Sequence, residues 1–160
     1  MRHVLIVAAA LLSIGAAAPA QQAETISGNV RSWGKILKAF EIDSSGEVRY
    51  TVAEQDGGFH DYWLVTRRAQ AGGEAYRKVS KLTAEARALN GKSWDCTTGP
   101  TDGPYGELRW GGDHIDFNSG CIAPETDTVS SAIHDGLALA AEWAEKGEVV
   151  SREWKGPPRQ

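Results

Sequence analysis

Three histidines in this sequence each have an aspartate close by: His60 with Asp61, His114 with Asp116, and His134 with Asp135. An imidazole and a carboxylate within reach of each other can pass a proton or hold a metal ion. His114 and Asp116 fall two apart on an expected strand, so their side chains share one face. A catalytic zinc needs three protein ligands and an open position. No HExxH or HxH run supplies even a local pair of them. Ser119 sits in Asn118-Ser119-Gly120-Cys121, without the G-x-S-x-G elbow that presents a nucleophilic hydroxyl. The doublets Gly57-Gly58, Gly72-Gly73 and Gly111-Gly112 lack phosphate-loop spacing. The sequence therefore assigns no catalytic residue, no metal ligand and no cofactor. A small metal-dependent or acid/base hydrolase using the His and Asp residues stays as the alternative reading.

The two cysteines, Cys96 and Cys121, lack C-x2-4-C zinc spacing and read as one disulfide, the ordinary state of an even pair in an oxidising compartment. Six tryptophans are many for a chain of 160 residues. Most should pack in the core or at sheet edges, and Trp63 and Trp110 are the candidates for an aromatic binding surface. The segment Thr97 to Gly106 is the other candidate for contact with a partner. Pro100 and Pro104 stiffen it, Asp102-Gly103 turns it, Tyr105 offers a ring, and Cys96 anchors one end. A rigid loop loses little entropy on docking.

The elements that must hold these residues follow from periodicity. Residues 35–43 and 47–53 alternate apolar and polar around Asp43-Ser44-Ser45-Gly46 and predict a hairpin. Residues 59–67, with Tyr62, Trp63 and Val65, predict a third strand. Tyr76, Val79, Leu82, Ala86 and Leu89 fall at helical spacing before the stop at Asn90-Gly91. Residues 92–98 predict a short strand, and 107–110 with 114–117 a second hairpin about Gly111-Gly112-Asp113. After Pro124, a stripe of Val129, Ala132, Ile133, Gly136, Leu137, Ala140 and Ala144 predicts a closing helix. The expected fold is α+β: an antiparallel sheet of about five to six strands, made of a three-stranded meander, a helix, a short strand with a hairpin, and a helix. Both helices lie on one face.

Residues 1–20 read as a signal peptide. Arg2 and His3 precede an apolar run from Val4 to Leu12, and Ala18-Pro19-Ala20 offers an A-x-A cleavage site. The run is too short for the roughly 20 apolar residues of a membrane span. Residues 21–34 read as a loose leading segment, 35–147 as the single domain, and 148–160 as a polar, mobile tail. Removing the leader leaves 16 basic residues (17 − 1) against 21 acidic, a net charge of −5. That balance argues against nucleic acid, which favours basic domains.

Over roughly Lys35 to Gly147 the layout resembles emfourin-type inhibitors of thermolysin-like metalloproteases. The resemblance is one of pattern, carried by Gly57-Gly58-Phe59, the helix Leu82 to Leu89, Asp102 with Tyr105-Gly106-Glu107-Leu108, and His114 to Phe117. It implies inhibition of an extracytoplasmic protease, and no functional residue is carried over from it. The expectation is an exported, periplasmic or secreted, non-enzymatic binding module for an extracytoplasmic protein or peptide, with no stable membrane insertion after cleavage. An envelope-associated structural protein is the third reading.

Overall fold

Alternating side chains build one large antiparallel sheet, and the apolar half of each alternation selects the face that the helices cover. A computed structural model describes residues 24–56, 60–99 and 102–157. The leader reading, Gly57-Gly58-Phe59 and Pro100 lie outside the described residues. The elements in order are β1 (Thr25–Ser32), β2 (Lys35–Asp43), β3 (Glu47–Gln55), β4 (Tyr62–Gln70), α1 (Gly73–Leu82), α2 (Ala84–Arg87), β5 (Thr97–Thr98), β6 (Tyr105–Trp110), β7 (Asp113–Asn118), β8 (Cys121–Ile122), α3 (Pro124–Ala144) and β9 (Glu148–Lys155). Seven strands form one sheet in the order β7-β6-β1-β2-β3-β4-β9, and β5 with β8 forms a separate two-stranded ribbon.

The expected α+β class and antiparallel sheet are present, but seven strands replace the five or six expected. Both additional strands come from segments read as loose. Thr25–Ser32 is no free leader; it lies between β2 and β6 in the middle of the sheet. Glu148–Lys155 is no mobile tail; it pairs along β4 as the sheet's last strand. The domain therefore extends beyond 35–147 at both ends. The expected short strand at 92–98 shrinks to Thr97–Thr98. The middle helix splits at Thr83, whose buried hydroxyl donates to the carbonyl of Val79 at 3.0 Å. Such back-bonding bends helices.

The covered face is organised in rows that run across the strands. One row holds Trp110, Ile26, Ile42 and Val48; the next holds Ile115, Leu108, Gly28, Phe40 and Tyr50; a third holds Phe117, Gly106, Val30, Lys38, Val52 and Val65. The stripe read from the sequence on α3, Val129 through Ala144, is buried. α1 and α2 join it through Ala75, Val79 and Ala86.

Helix and sheet approach each other closely at Phe40. A Cβ on Gly28 would stand 2.5 Å from the Phe40 ring, and one on Gly136 would stand 2.7 Å from it. The ring thus fills the space that two glycines leave, one in the neighbouring strand and one in α3. This explains a glycine inside a 21-residue helix, where it ordinarily costs up to about 1 kcal/mol against alanine.

The β1–β2 hairpin turns on two residues, Trp33 and Gly34, with φ of 50° and 77°. This tight turn wants positive φ at both positions, which Asn-Gly meets at least cost. A bulky residue held there stores on the order of 1–3 kcal/mol of strain.

Candidate functional site

The helices do not cover the sheet evenly. α1 and α2 pack over the end of the sheet near Ile26, Ile42 and Val48, and α3 crosses the middle. Beyond α3, the row through Val30 and Lys38 faces a groove of about 370 Å³, lined by Val30, Leu37, Lys38, Tyr50, Pro104, His134, Leu137, Ala138 and Ala141. The size suits a small ligand or the end of a peptide.

Each wall has a local cause. Pairing in β1 and β2 slips between Val30 and Arg31, leaving Leu37 as the extra residue beside Lys38. Such a bulge re-aims neighbouring side chains, and here Leu37 packs on the core while Lys38 stays exposed. Tyr50 lies on the cross-strand row of Phe40 and Gly28, half-buried. Removal from water raises its phenol pKa above the usual value. From α3, His134, Leu137, Ala138 and Ala141 project at i, i+3, i+4 and i+7, one face of a helix. Leu137 reaches the core, and small Ala138 and Ala141 keep the groove open.

The electrostatics of the groove are one-sided. Its polar side chains are an ammonium, a phenol and an imidazole, and no carboxylate lines it. Among the described residues Lys38 makes no ion pair; every salt bridge lies elsewhere. An apolar trench with an unneutralised cation and two further polar side chains is complementary to an apolar anion.

The residues singled out in the sequence fall in separate places. Pro104 forms a lip of the groove. Asp102 is exposed beside it in the turn before β6. Tyr105, the next residue along, turns to the opposite face of the sheet, where its ring is 36% exposed. Trp110 does not offer a surface: it is 6% exposed, sealed at the end of β6 with the Arg87 guanidinium over its ring. Trp63 packs on Trp154 with ring centroids 5.2 Å apart and Arg152 stacked on it, further along the covered face than the groove. Cys96 and Cys121 form the expected disulfide, joining β5 and β8 and tying the loop that ends at Pro104 to the start of α3.

Of the His/Asp pairs, His114 and Asp116 lie 3.9 Å apart on β7, both exposed. His60 precedes β4 and His134 is on α3, so the fold does not gather them. Among the described residues no three His, Cys, Asp or Glu side chains are placed to hold one metal ion. Among the same residues no helix is long and apolar enough to cross a membrane.

The open face of the sheet carries a chain of planar polar groups. Arg31 Nε donates to Asn29 Oδ1 at 3.0 Å, Asn29 Nδ2 donates to Glu107 Oε1 at 3.0 Å, and Arg109 Nη2 donates to Glu107 Oε2 at 2.6 Å. The Arg109 hydrogen bond holds the Glu107 carboxyl below the usual range against partial burial, and Asn29 and Arg31 add to it. A depressed carboxyl stabilises the fold above its unfolded pKa of about 4.3 and loses that contribution as pH falls through its lower folded value. Replacing Glu107→Gln should therefore lower urea stability at pH 7. The gap from wild type should narrow as pH falls below about 4.3 and vanish once the folded carboxylate is protonated, where both carry a neutral side chain.

Comparison with family models, curated proteins and solved structures returned no match. The groove was not legible in the sequence. Lys38 and Tyr50 look ordinary on their strands, and His134, noticed for its neighbour Asp135, lies far from both in the chain.

Proposed function

We propose that this chain is an exported, non-enzymatic binding domain whose groove takes the carboxylate end of an apolar peptide. The observation that carries the reading is the composition of the groove: aliphatic walls with Lys38, Tyr50 and His134 and no acid. A peptide ending in a large aliphatic residue would bury its last side chain against Leu37 and Leu137. Its terminal carboxylate would meet the Lys38 ammonium and the Tyr50 hydroxyl. Hydrogen bonds to a charged partner contribute about 1.5–3 kcal/mol each, which is roughly ten- to a hundredfold in affinity. Support for export comes from the leader-like residues 1–20 and from a disulfide, which suits an oxidising compartment.

The test is calorimetric titration of the processed protein with an acetylated tripeptide ending in leucine, as the free acid and as the amide, with octanoate as a third arm. Binding of the acid, at least tenfold weaker binding of the amide, and loss of at least tenfold in Lys38→Glu are expected. Octanoate binding as tightly as the peptide acid would reassign the groove to a free fatty acid. Equal binding of acid and amide, or no binding at all, would refute the reading.

A further inference from the structure

On the side of the sheet away from the helices, an exposed aromatic group stands beside the planar polar chain already described. Tyr105 walls a cleft of about 200 Å³ that is otherwise lined by Asn29, Arg31, Gly106, Glu107 and Asp116. The Tyr105 hydroxyl accepts the backbone N–H of Gly34 at 3.0 Å, which docks the β1–β2 turn against it. That turn carries Trp33, 71% exposed and at positive φ. Among the described residues nothing in the packing calls for a tryptophan there: asparagine would suit the turn better, and the ring is not part of the core. A large aromatic kept at a strained, exposed position is available to a partner outside the chain.

The geometry points to a saccharide-binding site at this cleft, for a neutral oligosaccharide stacked on Tyr105 and reaching Trp33 on the adjoining β1–β2 turn. Charge decides the ligand class. Glu107 is neutralised by Arg109 and approached by Arg31 at 3.9 Å, so the cleft does not favour a cation. Asp116, whose carboxylate makes no arginine ion pair among the described residues, in turn disfavours an anion. What remains is a row of polar groups, the Arg31 guanidinium as donor, the Asn29 amide as donor and acceptor, and the carboxylates of Glu107 and Asp116 as acceptors, the first three held by hydrogen bonds to one another. A sugar hydroxyl donates and accepts at once and matches such a row, while the apolar faces of its rings lie on the aromatics. Because Arg31, Asn29 and Glu107 already bond one another, little ordering is lost on binding.

The site is separate from the groove, on the opposite face, so either assignment can fail without the other. The experiment screens the processed protein on an array of unsubstituted neutral oligosaccharides. The best binder is then titrated against wild type, Trp33→Asn and Asp116→Asn. Trp33→Asn relieves the turn and should melt at or above the wild-type temperature, so lost binding in it is not lost folding. Binding of at least one neutral oligosaccharide, weakened at least tenfold in Trp33→Asn and in Asp116→Asn, is expected. No binding across the array, binding of acidic glycans alone, or undiminished binding in both variants would overturn the assignment.

Discussion

Gly136→Val should destabilise the domain by about 3 kcal/mol or more, the upper range for overpacking a core. Two effects compete at this position. Removing a glycine from a helix interior is favourable by about 1 kcal/mol for alanine and less for valine. Against that, even the first added carbon would stand 2.7 Å from a Phe40 ring that is itself 3% exposed and lies as close to Gly28. A buried ring in close-packed surroundings has little room to shift, so sterics win. Three kcal/mol corresponds to a fall in Tm of roughly 10 °C for a domain of this size. Gly136→Ala is the sharper diagnostic. Propensity alone would make it stabilising, whereas the clamp on Phe40 makes it destabilising, and the sign of the change in a urea melt separates the two.

Converting both Cys96 and Cys121 to serine is expected to lower stability by about 3 kcal/mol, the chain-entropy value for a loop of this length. The bridge spans 25 residues, and the β6–β7 hairpin lies between its ends. The link also holds the β5–β8 ribbon, and with it the approach to Pro104, against the start of α3. Its loss should therefore weaken ligand binding in the groove at a temperature where the core is still folded. Urea melts of the oxidised, reduced and double-serine proteins measure the first effect, and titration of the folded double-serine protein measures the second. Identical melts of oxidised and reduced protein would show that the ribbon is held by packing alone.

What the sequence disclosed, and what it hid, divides along physical lines. The alternation in β2, β3 and β4 and the stripe on α3 were readable because apolar residues recur at the helix-facing positions: Phe40 and Ile42 in β2, Val48, Tyr50 and Val52 in β3, Trp63 and Val65 in β4, and Val129 through Ala144 on α3. β1 escaped because its inward series is Ile26, Gly28, Val30. A glycine interrupts it, and the apolar mass at that point is supplied by Phe40 from the next strand. β9 escaped because an edge strand needs little burial: its residues are mostly exposed, with Arg152 and Trp154 packed on Trp63. Trp110 was misjudged as a surface because aromatic content does not report which end of a strand is capped by a helix. The cleft beside Tyr105 was half visible, since the ring was singled out, but its partners Asn29 and Arg31 lay in the segment taken for loose. Trp33 drew no attention because only a backbone angle marks it as unusual.

The central place of β1 has a consequence for how the molecule is made. A polypeptide growing from its amino end can zip β1 through β4 as soon as they emerge, while the far margin of β1 remains bare until Tyr105–Trp110 has been synthesised. Sequence-distant pairing of this kind is the slow sort, and a bare strand margin is a template for a neighbouring chain. The nascent protein is thus most prone to self-association when its first half is finished and its second has yet to arrive.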